Sequence, residues 1–84
     1  MPRYVFSGEE VYKVMVNSGI WRHIRTTGDH VILRWHPPAD HESEARVVSI
    51  PLHDELATGT LRGIAKDAGA NDFKAFCEWI DRNR

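Results

Sequence analysis

Residues 20–36 read Ile20-Trp21-Arg22-His23-Ile24-Arg25-Thr26-Thr27-Gly28-Asp29-His30-Val31-Ile32-Leu33-Arg34-Trp35-His36, and this stretch decides the fold. Gly28-Asp29 is a turn dipeptide. Downstream of it, Val31, Leu33 and Trp35 alternate with polar residues at the period of a half-buried strand. Upstream, Ile20 to Thr26 reads as the partner strand. A two-residue turn sets the pairing: Thr27 faces His30, Arg25 faces Ile32, His23 faces Arg34 and Trp21 faces His36. Alternation then collects Trp21, His23, Arg25, His30, Arg34 and His36 on one exposed face. Ile24, Val31, Leu33 and Trp35 fall on the other face, the natural core side. A slip of one residue would exchange the two faces.

The flanking elements follow from the same kind of signal. Ser7-Gly8-Glu9-Glu10 is a capping box, and Val11, Val14 and Met15 form a helical stripe that ends at Gly19. Pro37-Pro38 stops the second strand. Ala39 to Glu44 is a polar loop, and Ala45 to Leu52 is a third strand rich in Val and Ile. Thr58 or Thr60 is expected to cap a second helix with the stripe Leu61, Ile64, Ala65 and Ala68, closed by Gly69. Asn71 is expected to cap a third helix carrying Phe73, Phe76, Cys77 and Ile80, with Trp79 at the edge of that stripe. The order helix, three strands, helix, helix predicts an antiparallel meander with helices on one face. This is an α+β domain of the double-stranded-RNA-binding-like shape, spanning residues 1–84 as one unit.

With 84 residues, a chain buries only about 60% of its unfolded surface, so the core is thin. The 11 Lys+Arg and 12 Asp+Glu leave a net charge of -1, so overall charge is no argument for nucleic-acid binding. Cys77 is the only cysteine, which excludes an intrachain disulfide and fits a reducing cytoplasm. No apolar stretch is long enough for a membrane span, and Met1-Pro2-Arg3-Tyr4 opens no signal peptide.

The exposed face nevertheless concentrates cations and an indole, which suit phosphates and bases. The alternative is an ordinary solvated sheet face. His30, where the turn meets the strand, is placed for proton transfer, and histidine is the side chain suited to it near neutral pH. Asp29 beside it could tune the imidazole or repel a phosphate. The five histidines show no metal-ligand spacing, and Cys77 lies on a buried stripe, so neither a metal site nor a thiol nucleophile is expected.

Three motifs in order carry a family resemblance: Gly28-Asp29-His30, then Val48-Ser49-Ile50-Pro51-Leu52-His53, then Gly59-Thr60-Leu61-Arg62-Gly63-Ile64 with Ala68-Gly69. Together they resemble the HicA (YcfA-like) mRNA interferase toxins, over most of the chain from Val11 to Phe76. The resemblance implies the toxin of a type II toxin–antitoxin system: a metal-independent endoribonuclease that needs no cofactor, cleaves mRNA and inhibits translation. It implies His30 as general acid/base and a HicB-type antitoxin as partner, with no membrane and no DNA binding by the chain alone. Arg25, Arg34, His23, Trp21, Arg62 and Lys66 are the candidate RNA contacts. Gly28, Asp29, His53, Gly59 and Thr60 are the motif positions; His53 could touch RNA or antitoxin, or hydrogen-bond the Thr58-Gly59-Thr60 turn. This chain departs from many relatives in being slightly acidic, and Asp29 stands where serine is commoner. A non-catalytic RNA-binding module and a protein-interaction domain of the same shape are the rival readings.

Overall fold

The computed structural model describes residues 4–35 and 45–84. The elements are α1 (Gly8–Asn17), β1 (Arg22–Thr27), β2 (His30–Trp35), β3 (Arg46–Pro51), α2 (Thr58–Asp67) and α3 (Phe73–Asn83). The three strands form one antiparallel sheet in the order β1-β2-β3. The expected α+β order is therefore the observed one. The strand stop at Pro37-Pro38, the loop 39–44, the face of His36 and the reading of Met1 to Arg3 lie outside the described residues.

Local chemistry accounts for the element ends. The Ser7 hydroxyl accepts from the Glu10 amide and the Glu10 carboxylate from the Ser7 amide, the reciprocal pair of a capping box. Gly19 and Gly69 follow α1 and α2 with φ of 83° and 84°. Two expected caps differ. The N-cap of α2 is Ala57, in extended conformation with no side-chain hydrogen bond. The Ala57 carbonyl already accepts the Leu61 amide at 2.9 Å, so the helix starts one residue earlier and neither threonine is needed. In α3 the cap is Asp72 rather than Asn71, its carboxylate accepting the Ala75 amide at 3.1 Å.

The helices cover one face of the sheet. Val31, Leu33, Val48 and Ile50 join Val11, Val14, Met15, Leu61, Ile64, Phe76 and Ile80 in a single core. Burying each such side chain stabilises the fold by roughly 1.5–3 kcal/mol. No polar or charged residue is buried among the described residues.

The register of β1 against β2 corrects the sequence reading. Thr27 pairs with His30 and Arg25 with Ile32, as the turn dictates. The pairing then shifts between Arg25 and His23: His23 faces Leu33, and Arg22 faces Arg34. Ile24 is the extra residue of a β-bulge. Beyond the bulge the faces exchange. Trp21, expected on the open face, is 6% exposed in the core, whereas Ile24, expected in the core, is 47% exposed. Core demand is the physical reason, since burying an indole outweighs burying one isoleucine.

α1 begins hard against the end of β3. The Gly8 amide donates to the His53 carbonyl at 2.9 Å. A Cβ on Gly8 would lie 1.8 Å from the Pro51 carbonyl oxygen, so only glycine fits without moving backbone. Gly63, inside α2, has open space around its Cβ position. Gly8→Ala should therefore lower unfolding stability by about 1–3 kcal/mol through overpacking, while Gly63→Ala should raise it by about 0.5–1 kcal/mol. Urea midpoints of the two variants check both signs, and equal midpoints would contradict the tight packing of Gly8.

Candidate active site at the turn between β1 and β2

Gly28 has a φ of 59°, and among the described residues no non-glycine residue has positive φ. Positive φ at the first central residue only is the pattern of a type II′ turn, which suits the twist of a hairpin. It leaves Asp29 second, with its side chain free to reach sideways. The Asp29 carbonyl accepts the Leu52 amide at 2.6 Å, which ties the turn to the chain leaving β3. His30 is paired across the sheet with Pro51, so His53 arrives just past that rung.

These constraints bring Asp29 between two imidazoles. His30 Nδ1 lies 2.8 Å from Asp29 Oδ1, and His53 Nε2 lies 3.2 Å from Asp29 Oδ2. Each carboxylate oxygen thus holds one ring. The side chains are 48% exposed at His30, 60% at Asp29 and 59% at His53, so all three are open to a ligand. Partial desolvation pushes the Asp29 carboxyl up, but its own backbone amide, the charge of His30 and the hydrogen bonds of His53 and His30 outweigh this and hold it below the ordinary value. His30 Nε2 and His53 Nδ1 are the ring nitrogens not engaged by the shared carboxylate, and neither has a hydrogen bond among the described residues. A carboxylate on one imidazole nitrogen fixes the ring and leaves the other nitrogen for proton exchange.

Along the open face, the rungs carry Thr27, His30 and Pro51, then Arg25, Ile32 and Ser49, then Arg22, Arg34 and Val47. Arg22, Arg25 and Arg34 make no ion pair among the described residues. The structure thus unites His30, Arg25 and Arg34 as expected and adds Arg22. Two other candidates do not lie on this face. His23 lies on the helix side, its ring 5.8 Å from that of Tyr12 and its Nε2 2.9 Å from the Thr26 hydroxyl. Trp21 is buried and cannot stack on a base. Arg62 sits 4.3 Å over the Phe73 ring, and Lys66 follows one turn on, so both belong to the helical layer and not to the open face. Gly59 and Thr60 occupy the first turn of α2. His53 meets Asp29 rather than the start of α2. Trp79 packs on Phe76 at the edge of the core, with ring centroids 6.1 Å apart.

Among the described residues, no group of three or more His, Cys, Asp or Glu is arranged to hold a metal ion, and no helix is long and apolar enough to cross a membrane. The fold and turn together define a small α+β protein with an exposed, carboxylate-held histidine pair at one end of an arginine-bearing sheet. Residues 8–70 match the family model described as the HicA toxin of bacterial toxin–antitoxin, and the chain belongs to that family. Membership makes it a toxin of a toxin–antitoxin pair and implies a HicB-type antitoxin as partner. No curated protein and no solved structure matches the chain.

Because the folded Asp29 carboxyl titrates below its ordinary value of 3.8, its contacts contribute stability above that pH and lose it as pH falls through the lower folded value. In a carboxyl-detected NMR titration, His30→Ala should raise the Asp29 midpoint toward the ordinary value, and so should His53→Ala. A midpoint that stays put in both variants would show that the imidazoles do not hold the carboxylate.

Proposed function

We propose that the protein is a metal-independent endoribonuclease that cleaves mRNA and so inhibits translation, with His30 as general acid/base. The observation that carries this reading is the 2.8 Å contact of His30 Nδ1 with Asp29, which leaves Nε2 unengaged on a half-exposed ring at the end of a face bearing Arg22, Arg25 and Arg34. RNA supplies its own nucleophile in the 2′-hydroxyl. The protein therefore needs only a proton acceptor, a proton donor and cations around the transferring phosphoryl group. Imidazole chemistry suits the two proton transfers, and His30 supplies one such ring. The guanidiniums serve the last and also hold the chain of phosphates across the sheet. Arg34 lies four positions beyond His30 along β2, about 13 Å of extended strand, so the face spans more than one nucleotide. The Asp29 charge does not stand alone before a phosphate, since both of its oxygens are engaged by imidazole nitrogens.

His30→Ala should abolish both growth inhibition on expression and RNA cleavage by the purified chain, with a loss of about 10²-fold or more. Cleavage should persist in a chelator. If the alanine variant is as toxic as the wild type, His30 is not the acid/base group. If the wild type neither inhibits growth nor cuts RNA, a binding role gains instead.

Arg22 provides a separate check, because the bulge puts it on the open face. Arg22→Gln should weaken binding of single-stranded RNA about as much as Arg25→Gln, and should reduce the slope of log affinity against log salt by about 0.7. Lys13→Gln on α1 is the control. An Arg22 variant that binds like this control would remove Arg22 from the RNA face.

A further inference from the structure

We propose that His53 is the second proton-transfer group of this site, working opposite His30 across the shared Asp29 carboxylate; the inference rests on the ribonuclease reading and deepens it. His53 is 24 residues from Asp29 in sequence, yet its Nε2 is 3.2 Å from Asp29 Oδ2. The main chain brings it there. The Leu52 amide donates to the Asp29 carbonyl at 2.6 Å, and the His53 carbonyl accepts the Gly8 amide at 2.9 Å. The residue is clamped on both sides while its side chain stays 59% exposed. A histidine held so firmly by its backbone, but left open at its ring, is poorly explained as packing.

The chemistry of strand cleavage asks for two such groups. The 2′-O–H bond breaks and its proton passes to a neutral imidazole. The 2′-oxygen bonds to phosphorus. The bond from phosphorus to the 5′-oxygen breaks, and that oxygen takes a proton from an imidazolium. The products are a 2′,3′-cyclic phosphate and a 5′-hydroxyl; no water is consumed and nothing is oxidised or reduced. One histidine ends protonated and the other neutral, the reverse of the start. The site has the matching composition: two imidazoles on one carboxylate, whose single negative charge balances one imidazolium. A lone histidine would have to accept and donate at two oxygens on opposite sides of the phosphorus.

The experiment compares wild type, His30→Ala, His53→Ala and His53→Gln on an ordinary oligoribonucleotide and on one with a single 5′-bridging sulfur. The sulfur departs as a thiolate and needs no proton. Glutamine can still donate a hydrogen bond to Asp29 but cannot exchange a proton. Both alanine variants and His53→Gln should cut ordinary RNA about 10²-fold or more slowly than wild type. On the sulfur substrate only one of the two histidine positions, the one serving as acid, should recover to within about 10-fold of wild type. His53 is exposed, so its variants should melt as wild type does, and a melting curve verifies this. If His53→Ala or His53→Gln cuts ordinary RNA within about 3-fold of wild type, the proposal is overturned while His30 stands. Recovery of both positions, or of neither, also overturns it. A wild type that cuts no RNA sinks the ribonuclease reading itself.

Discussion

The segment Leu52-His53 is the point on which the two halves of the molecule depend. Its first amide closes on the Asp29 carbonyl, and the His53 carbonyl receives the Gly8 amide. One bond fixes the hairpin turn, and the other fixes the start of α1. The end of β3 is thus a backbone hinge-pin between the helical layer and the site. It also explains why Gly8 has no room for a side chain: the helix start must sit directly on the Pro51 carbonyl. The Asp29-His30 pair and His53 come from separate positions in the chain, and these main-chain bonds set their spacing before any side chain is oriented.

The sheet then separates stability from chemistry. Its helix side holds the apolar core, with no buried polar group among the described residues, and its other side carries the arginines. A net charge of -1 hides this arrangement because the sum ignores sidedness. Lys13 pairs with Glu9, and Arg84 pairs with Glu10 and Asp81, so many opposite charges cancel on the helical layer. What reaches a polyanion is the local field, and that field is strongest where guanidiniums are unpaired.

Most of the fold was legible because its signals are local. The capping box at Ser7, the turn at Gly28-Asp29 and the stripes of the helices each depend on residues within a few positions of one another. The face of Trp21 was not legible in the same way. Residues 22–25 contain no glycine or proline to mark a bulge. The only available signal was energetic: an indole paired with polar neighbours on an open face leaves a large apolar side chain in water. Had its burial been required, an extra residue in β1 would have followed, and with it the exchange of His23 for Arg22. The caps fall at Ala57, one position before Thr58 and three before Thr60, and at Asp72, one after Asn71, because a backbone carbonyl and a carboxylate compete with nearby hydroxyls and amides at similar cost. Motif spacing marks Asp29 and His53 separately, but nothing local marks their contact. That pairing is set by the register of β3, where Val48 and Ile50 seek the core opposite Leu33 and Val31. Once those two rungs are aligned, Pro51 must face His30, and the next residues must pass beside the turn.

That same register bears on how a carboxylate would be tolerated beside an imidazole proposed to meet phosphate. An aspartate at the second position of the turn, facing solvent, would repel the ligand at close range. Here the sheet delivers a second imidazole to it, and the carboxylate has an acceptor role on both sides. A serine at this position would offer one hydroxyl, whose geometry suits one ring and carries no charge to balance an imidazolium. Asp29 and His53 therefore make sense only together. Removing the aspartate should leave two unanchored rings, and removing His53 should return to Asp29 a free, charged oxygen beside the proposed phosphate site. The cost of the second change exceeds the loss of one hydrogen bond, because it includes the repulsion that the pair suppresses.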